Sequence, residues 1–192
     1  RKAVDIFFDH RVLLYQAQWM QLLSRFDVAD VVSLEDLESM WGRRQLGDLL
    51  WNGFGLMGGG RCGVRLGGLI PGSPVEAFCG ESCRKEILFA PHSHFDLYGN
   101  YVPGFCGGIS LGSWRDLPAL QSRAEQGELS PLLQTLVESG PYGLLDRALE
   151  AGFHTDPAGY ADKCHLCVEI RRSLTEIGDY EELKPSEFYS SF

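Results

Sequence analysis

Cys164-His165-Leu166-Cys167 is the stretch of this sequence best suited to chemistry. Asp162, just upstream, is a residue type that caps helices, so the pattern predicts a helix from Asp162 to about Ile177 with both cysteines in its opening turn. Residues i and i+3 share a helix face, so both sulfurs can reach one metal ion or adjacent corners of one cluster. Free amide N–H groups and the positive end of the helix dipole favour thiolates there. A redox dithiol has the same spacing, but that motif follows a strand in a βαβ unit, and none is evident.

A closed zinc or [4Fe–4S] site takes four ligands, so two more must come from elsewhere. Cys106 lies in the glycine-rich turn Pro103-Gly104-Phe105-Cys106-Gly107-Gly108, where backbone N–H groups are free to bond sulfur. Cys83 precedes a predicted β-hairpin over Ile87 to Val102, and the returning strand brings Cys106 back towards it. The first-choice ligand set is Cys83, Cys106, Cys164 and Cys167. Ser73-Pro74-Val75-Glu76 predicts a helix running through Cys83, which would put Cys79 and Cys83 on one face. Cys79 is the reserve ligand on that ground, and is read equally well as a buried free thiol. Cys62 reads as a loop thiol. Six cysteines also suit three disulfides, but a chain of 192 residues buries a core without such staples. Two close pairs plus singletons favour metal ligation in a reducing, cytoplasmic setting.

His92, His94 and Asp96 alternate along the hairpin and are read as its polar face, with ligation or acid–base work as the competing reading. His165 is expected to point away from the metal, in reach of a supporting role. Gly58-Gly59-Gly60 is followed by no Gly-Lys-Ser/Thr, so no phosphate loop is present. No serine nucleophile elbow, zincin helix or paired-carboxylate motif stands out. Catalytic residues are therefore left unassigned.

The elements that must position these residues are α+β. Val4 to Phe8 is β-prone, His10 to Phe26 has helical periodicity, and Ser33-Leu34-Glu35-Asp36 resembles a capping box opening a helix that resumes after Gly42. Gly53 to Gly68 reads as a loop, a hinge or a tight backbone approach. Helices are predicted from Ser113 to about Gln126, from Ser130-Pro131 through Val137, and from Pro141 to Gly152. Three regions follow: a mixed α/β segment over 1–72, a cysteine-rich metal- or cluster-binding region over 73–177, and an acidic tail over 178–192 that docks loosely or frays. With 26 acidic against 17 basic residues and a net charge of −9, a nucleic-acid partner is not expected. No run of about 18 apolar residues marks a membrane span.

His92-Ser-His-Phe-Asp-Leu-Tyr-Gly-Asn-Tyr-Val-Pro-Gly-Phe-Cys-Gly-Gly-Ile-Ser-Leu-Gly112 resembles the post-barrel segment of a group of radical SAM proteins. Gly159-Tyr-Ala-Asp-Lys-Cys-His-Leu-Cys-Val-Glu-Ile-Arg171 is similar to the terminus of the same proteins, with Gly140-Pro-Tyr-Gly-Leu-Leu145 fitting the link between. The resemblance covers about residues 73 to 175. It implies an auxiliary [4Fe–4S] cluster region of the SPASM or twitch kind, structural or electron-relaying, partnered by a radical SAM catalytic portion or an electron donor. The family's Cys-x-x-x-Cys-x-x-Cys is absent, since position 86 after Cys79 and Cys83 is Glu. S-adenosylmethionine is therefore expected only through a portion not present here, with residues 1–72 as the end of a truncated α/β barrel. A zinc-stabilised interaction module using the same cysteines is the alternative, and whether the chain is an enzyme stays open.

Overall fold

The computed structural model describes residues 34–190, so the strand expected at Val4 to Phe8 and the helix expected at His10 to Phe26 lie outside the described residues. The chain divides into two compact units, Arg1–Leu46 and Gly47–Phe192. In the first, α1 (Leu34–Trp41) ends at Gly42, whose φ of +75° sets off the next helix, α2 (Arg43–Asp48). Arg43 closes the turn by pairing with Glu38 at 2.9 Å.

The second unit carries the cysteines. Its described residues are α+β, with helices α3 (Arg61–Leu66), α4 (Arg84–Leu88), α5 (Leu117–Gln126), α6 (Pro131–Ser139), α7 (Leu145–Glu150), α8 (Lys163–Ile177) and α9 (Ser186–Ser190). Strands β1 (Ser93–Phe95) and β2 (Tyr101–Pro103) pair antiparallel, with Ser93 opposite Pro103 and Phe95 opposite Tyr101. The expected division at residue 72 falls inside this unit, where Ser73 and Tyr160 exchange both backbone hydrogen bonds at 2.8 and 2.9 Å.

The long helix α8 organises the packing. Asp162 caps it by accepting from the His165 N–H at 2.7 Å. Leu166, Ile170 and Leu174, four residues apart, form its fully buried stripe. The same core takes in Leu132, Leu133, Leu136 and Val137 of α6, a helix capped by Ser130 and opened by Pro131 as the sequence predicts, and both helices contact the 3₁₀ turn Pro141–Leu144.

Four local expectations are corrected. The helix expected from Ser73 through Cys83 is a single 3₁₀ turn over Val75–Phe78, because Gly80 takes a φ of +81° and the chain restarts as α4 after Cys83. Cys79 and Cys83 therefore share no helix face. The hairpin is shorter than predicted, since Ile87 and Leu88 end α4 and place Ile87 in the core. Gly53 to Gly68 contains helix α3 rather than only loop, and its glycines permit close approach. A Cβ on Gly58 would stand 2.2 Å from Asp162 Oδ1, and its N–H donates to Asp162 Oδ2 at 2.8 Å.

The tail is also corrected, because Leu183 and Tyr189 are buried members of the main core. The Tyr189 hydroxyl donates to the Gly108 carbonyl and accepts from Arg171 Nη1, both at 2.6 Å. Tyr189→Phe is expected to cost about 1–3 kcal/mol by orphaning both partners. Urea unfolding checks this, with a lower midpoint and an unchanged slope.

Candidate functional site

Cys83, Cys106, Cys164 and Cys167 arrive from three separate stretches of chain and line one cavity of about 670 Å³. Cys83 immediately precedes α4, held by its N–H donating to the Leu136 carbonyl at 2.9 Å. Cys106 lies in the turn after β2, where its N–H donates to the Pro103 carbonyl and its carbonyl accepts from Ile109. Cys164 and Cys167 are contributed by the first turn of α8, as the cap at Asp162 requires. Helical spacing adds two cations to the same wall, since Lys163, Cys167 and Arg171 recur every four residues.

The thiols act on one another electrically. Burial pushes the Cys106 thiol up to about 11, with Cys167 adding to the rise and Arg171 opposing it. Cys164 is pushed up to about 12, by burial, then by Asp162, Cys167 and Cys106. Cys83 is raised by burial and then by Cys167, with Lys163 opposing. Cys167 is thus the neighbour common to the other three. Thiols held so far above their ordinary value stay protonated at neutral pH unless a cationic centre takes the place of the protons. All four carry soft sulfur donors, the set that selects iron–sulfur clusters or zinc. Among the described residues, no three His, Cys, Asp or Glu side chains form a group able to hold a single metal ion.

Of the four cations that line the cavity, Arg84, Lys85, Lys163 and Arg171, the last two stand in different states. Lys163 Nζ bonds Glu86 Oε1 at 2.9 Å and the Ser82 carbonyl at 2.8 Å. This contact also lowers the Glu86 carboxyl, against the opposing effect of its partial burial. Arg171 donates from Nη1 to the Gly107 carbonyl at 3.0 Å and to the Tyr189 hydroxyl. Neither cation was singled out from the sequence. The signal was there in the four-residue step from Cys167 to Arg171.

The other candidates lie elsewhere. Cys79 is exposed and does not line the cavity, so it is not the buried free thiol of the alternative reading. Cys62 is in α3, near Asp162, where burial and that carboxylate raise its thiol. Cys62→Ala and Cys79→Ser are each expected to leave metal content within about 10% of wild type, checked by metal analysis of the purified variants. His165 faces away from the cavity, its Nδ1 accepting from the Ala161 N–H at 3.2 Å and its ring against Tyr160.

His92, His94 and Asp96 do not act as one set. Asp96 organises the hairpin turn, accepting from the N–H groups of Tyr98 and Asn100 at 2.9 Å and from Asn100 Nδ2 at 2.8 Å. His94 is exposed. His92 stands at the cavity rim, its ring 4.4 Å from that of Phe105.

Comparison with protein-family models, with curated proteins and with solved structures finds no match. The chemistry must be argued from the site itself. No helix among the described residues is long and apolar enough to cross a membrane.

Proposed function

We propose that this chain binds a [4Fe–4S] cluster through Cys83, Cys106, Cys164 and Cys167, as a structural or electron-relaying centre. The observation that carries the reading is that four cysteines, distant in sequence, line one shared cavity. Two further features support it. Burial and the neighbouring thiols disfavour ionising any one of them alone, so a polycation that replaces their protons would stabilise the thiolates together. Lys163 is already paired with Glu86, but Arg171 lines the cavity with only neutral oxygen acceptors, which suits the negative charge that four thiolates leave on a cluster.

The wider setting proposed with this reading is the auxiliary-cluster side of a radical SAM-like protein, with residues 1–72 as the end of its barrel. A catalytic portion or an electron donor would be the partner, in the cytoplasm. A cluster closed by four thiolates leaves no iron for S-adenosylmethionine, so cleavage of that molecule is assigned to the catalytic portion.

Anaerobic isolation of the full chain followed by iron, sulfide and zinc analysis tests the reading. The expected result is about four iron and about four sulfide per chain, with broad absorption near ~400 nm from thiolate-to-iron charge transfer. A colourless protein with about one zinc per chain would replace the cluster by the zinc-stabilised module.

A further inference from the structure

Arg171 is the buried charged side chain of the described residues, 2 % exposed. A guanidinium removed from water is costly unless its N–H groups are bonded and negative charge lies near. Its two oxygen acceptors, the Gly107 carbonyl and the Tyr189 hydroxyl, are neutral groups. The Tyr189 phenol is pushed up to about 12, mainly by burial, and so keeps its proton at neutral pH. The Arg171 Nε–H is sealed from solvent and meets no hydrogen-bond partner among the described residues. The remaining groups that act most on the guanidinium are Cys167, one helical turn before it, and Cys106. Lys163 differs, because Glu86 already neutralises it at 2.9 Å. The compensating negative charge for Arg171 must therefore come from the cysteine cavity, which it lines.

We propose that Arg171 is the fixed counter-cation of the centre at Cys106 and Cys167, its orphaned Nε–H donating to a sulfur there, and that it raises the centre's reduction potential. This inference rests on the cluster reading. One-electron reduction by an external donor adds a negative charge to the centre and moves no bond of the protein. A buried positive charge beside the sulfurs stabilises the reduced form more than the oxidised one, and a hydrogen bond to sulfur acts in the same direction. Arg171 is a positioning and tuning residue in this account, with no part in bond making.

The test is the midpoint potential of the anaerobically reconstituted full chain, titrated with dithionite, in wild type, Arg171→Lys and Arg171→Gln. Arg171→Gln is expected to disfavour reduction at least tenfold, a fall of about 59 mV for a one-electron couple. Arg171→Lys keeps the charge but not the Nε–H, and should fall between the other two. Should the glutamine variant fail to fold, the lysine variant decides, with an expected loss of at least threefold in the same equilibrium. Clusters that assemble in the variants with the wild-type potential overturn the inference and leave the cluster reading standing. A wild-type chain that takes up no iron overturns both.

Discussion

Cys167→Ala is expected to reduce iron in the anaerobically reconstituted chain from about four per chain to less than about one. Cys167 is the neighbour that acts on Cys83, Cys106 and Cys164 alike. It is also buried on the core side of α8, where no water-exposed donor replaces it. Binding at a site assembled from separate stretches is coupled to folding, and structural metal centres contribute on the order of 10 kcal/mol in small domains. The variant is therefore expected to melt like metal-free wild type, without the upward shift in Tm that loading gives the parent. Circular dichroism of the metal-free proteins separates this from a folding defect, since a cysteine-to-alanine change removes a single atom from the core. Full iron content in Cys167→Ala would remove that residue from the ligand set.

The second large effect concerns pH in the reduced, metal-free chain. In the unfolded chain these thiols ionise near their ordinary value of 9.0, whereas in the folded chain Cys106 holds its proton to about 11 and Cys164 to about 12. Above pH 9 the folded state binds more protons than the unfolded one, so stability falls as pH rises. The contribution is fully present below 9 and is lost progressively towards the folded values. Summed over these two thiols, the loss by pH 11 is roughly 3–5 kcal/mol. Cys83, also raised by burial, and the Tyr189 phenol act in the same direction. Urea unfolding at pH 8 and pH 11, with chelator and reductant present, measures the slope. Cys106→Ala is expected to reduce it, and metal loading to abolish the thiol part, because bound thiolates carry no proton to lose. A flat profile between pH 8 and 11 in the metal-free chain would contradict the burial of these thiols.

Much of what positions the site is written locally. The Asp162 cap, the i and i+3 cysteines behind it and the Ser130-Pro131 start of α6 depend on neighbours within a few residues, so spacing alone reveals them. The return of the hairpin gave a reason to expect Cys106 near Cys83, but nothing local in the sequence says that both line one cavity with Cys164 and Cys167. The helix between Cys79 and Cys83 was misread because Gly80, a tolerable residue in a helix pattern, takes a left-handed conformation that ends the turn. The glycines of residues 53–68 read as a loop, a hinge or a tight backbone approach, and the sequence does not say what they approach, because that partner lies outside the segment. Gly58 abuts Asp162, and a Cβ on Gly63 or Gly67 would meet the His165 ring. The tail carried a similar hidden purpose, since an acidic, aromatic stretch gives no sign that Tyr189 will bond Gly108 and Arg171. Arg171 itself sits on a helix face that periodicity marks as inward, and arginine there reads as an exception until the cavity beside it is known.

The most direct measurement of the central claim is Mössbauer spectroscopy of the full chain loaded anaerobically with iron-57, recorded before and after addition of S-adenosylmethionine. Four thiolates from Cys83, Cys106, Cys164 and Cys167 would give every iron a tetrahedral sulfur environment, so the account predicts one cluster spectrum that S-adenosylmethionine leaves unchanged. A distinct iron site that shifts on adding S-adenosylmethionine, or iron present only as mononuclear species, would contradict it.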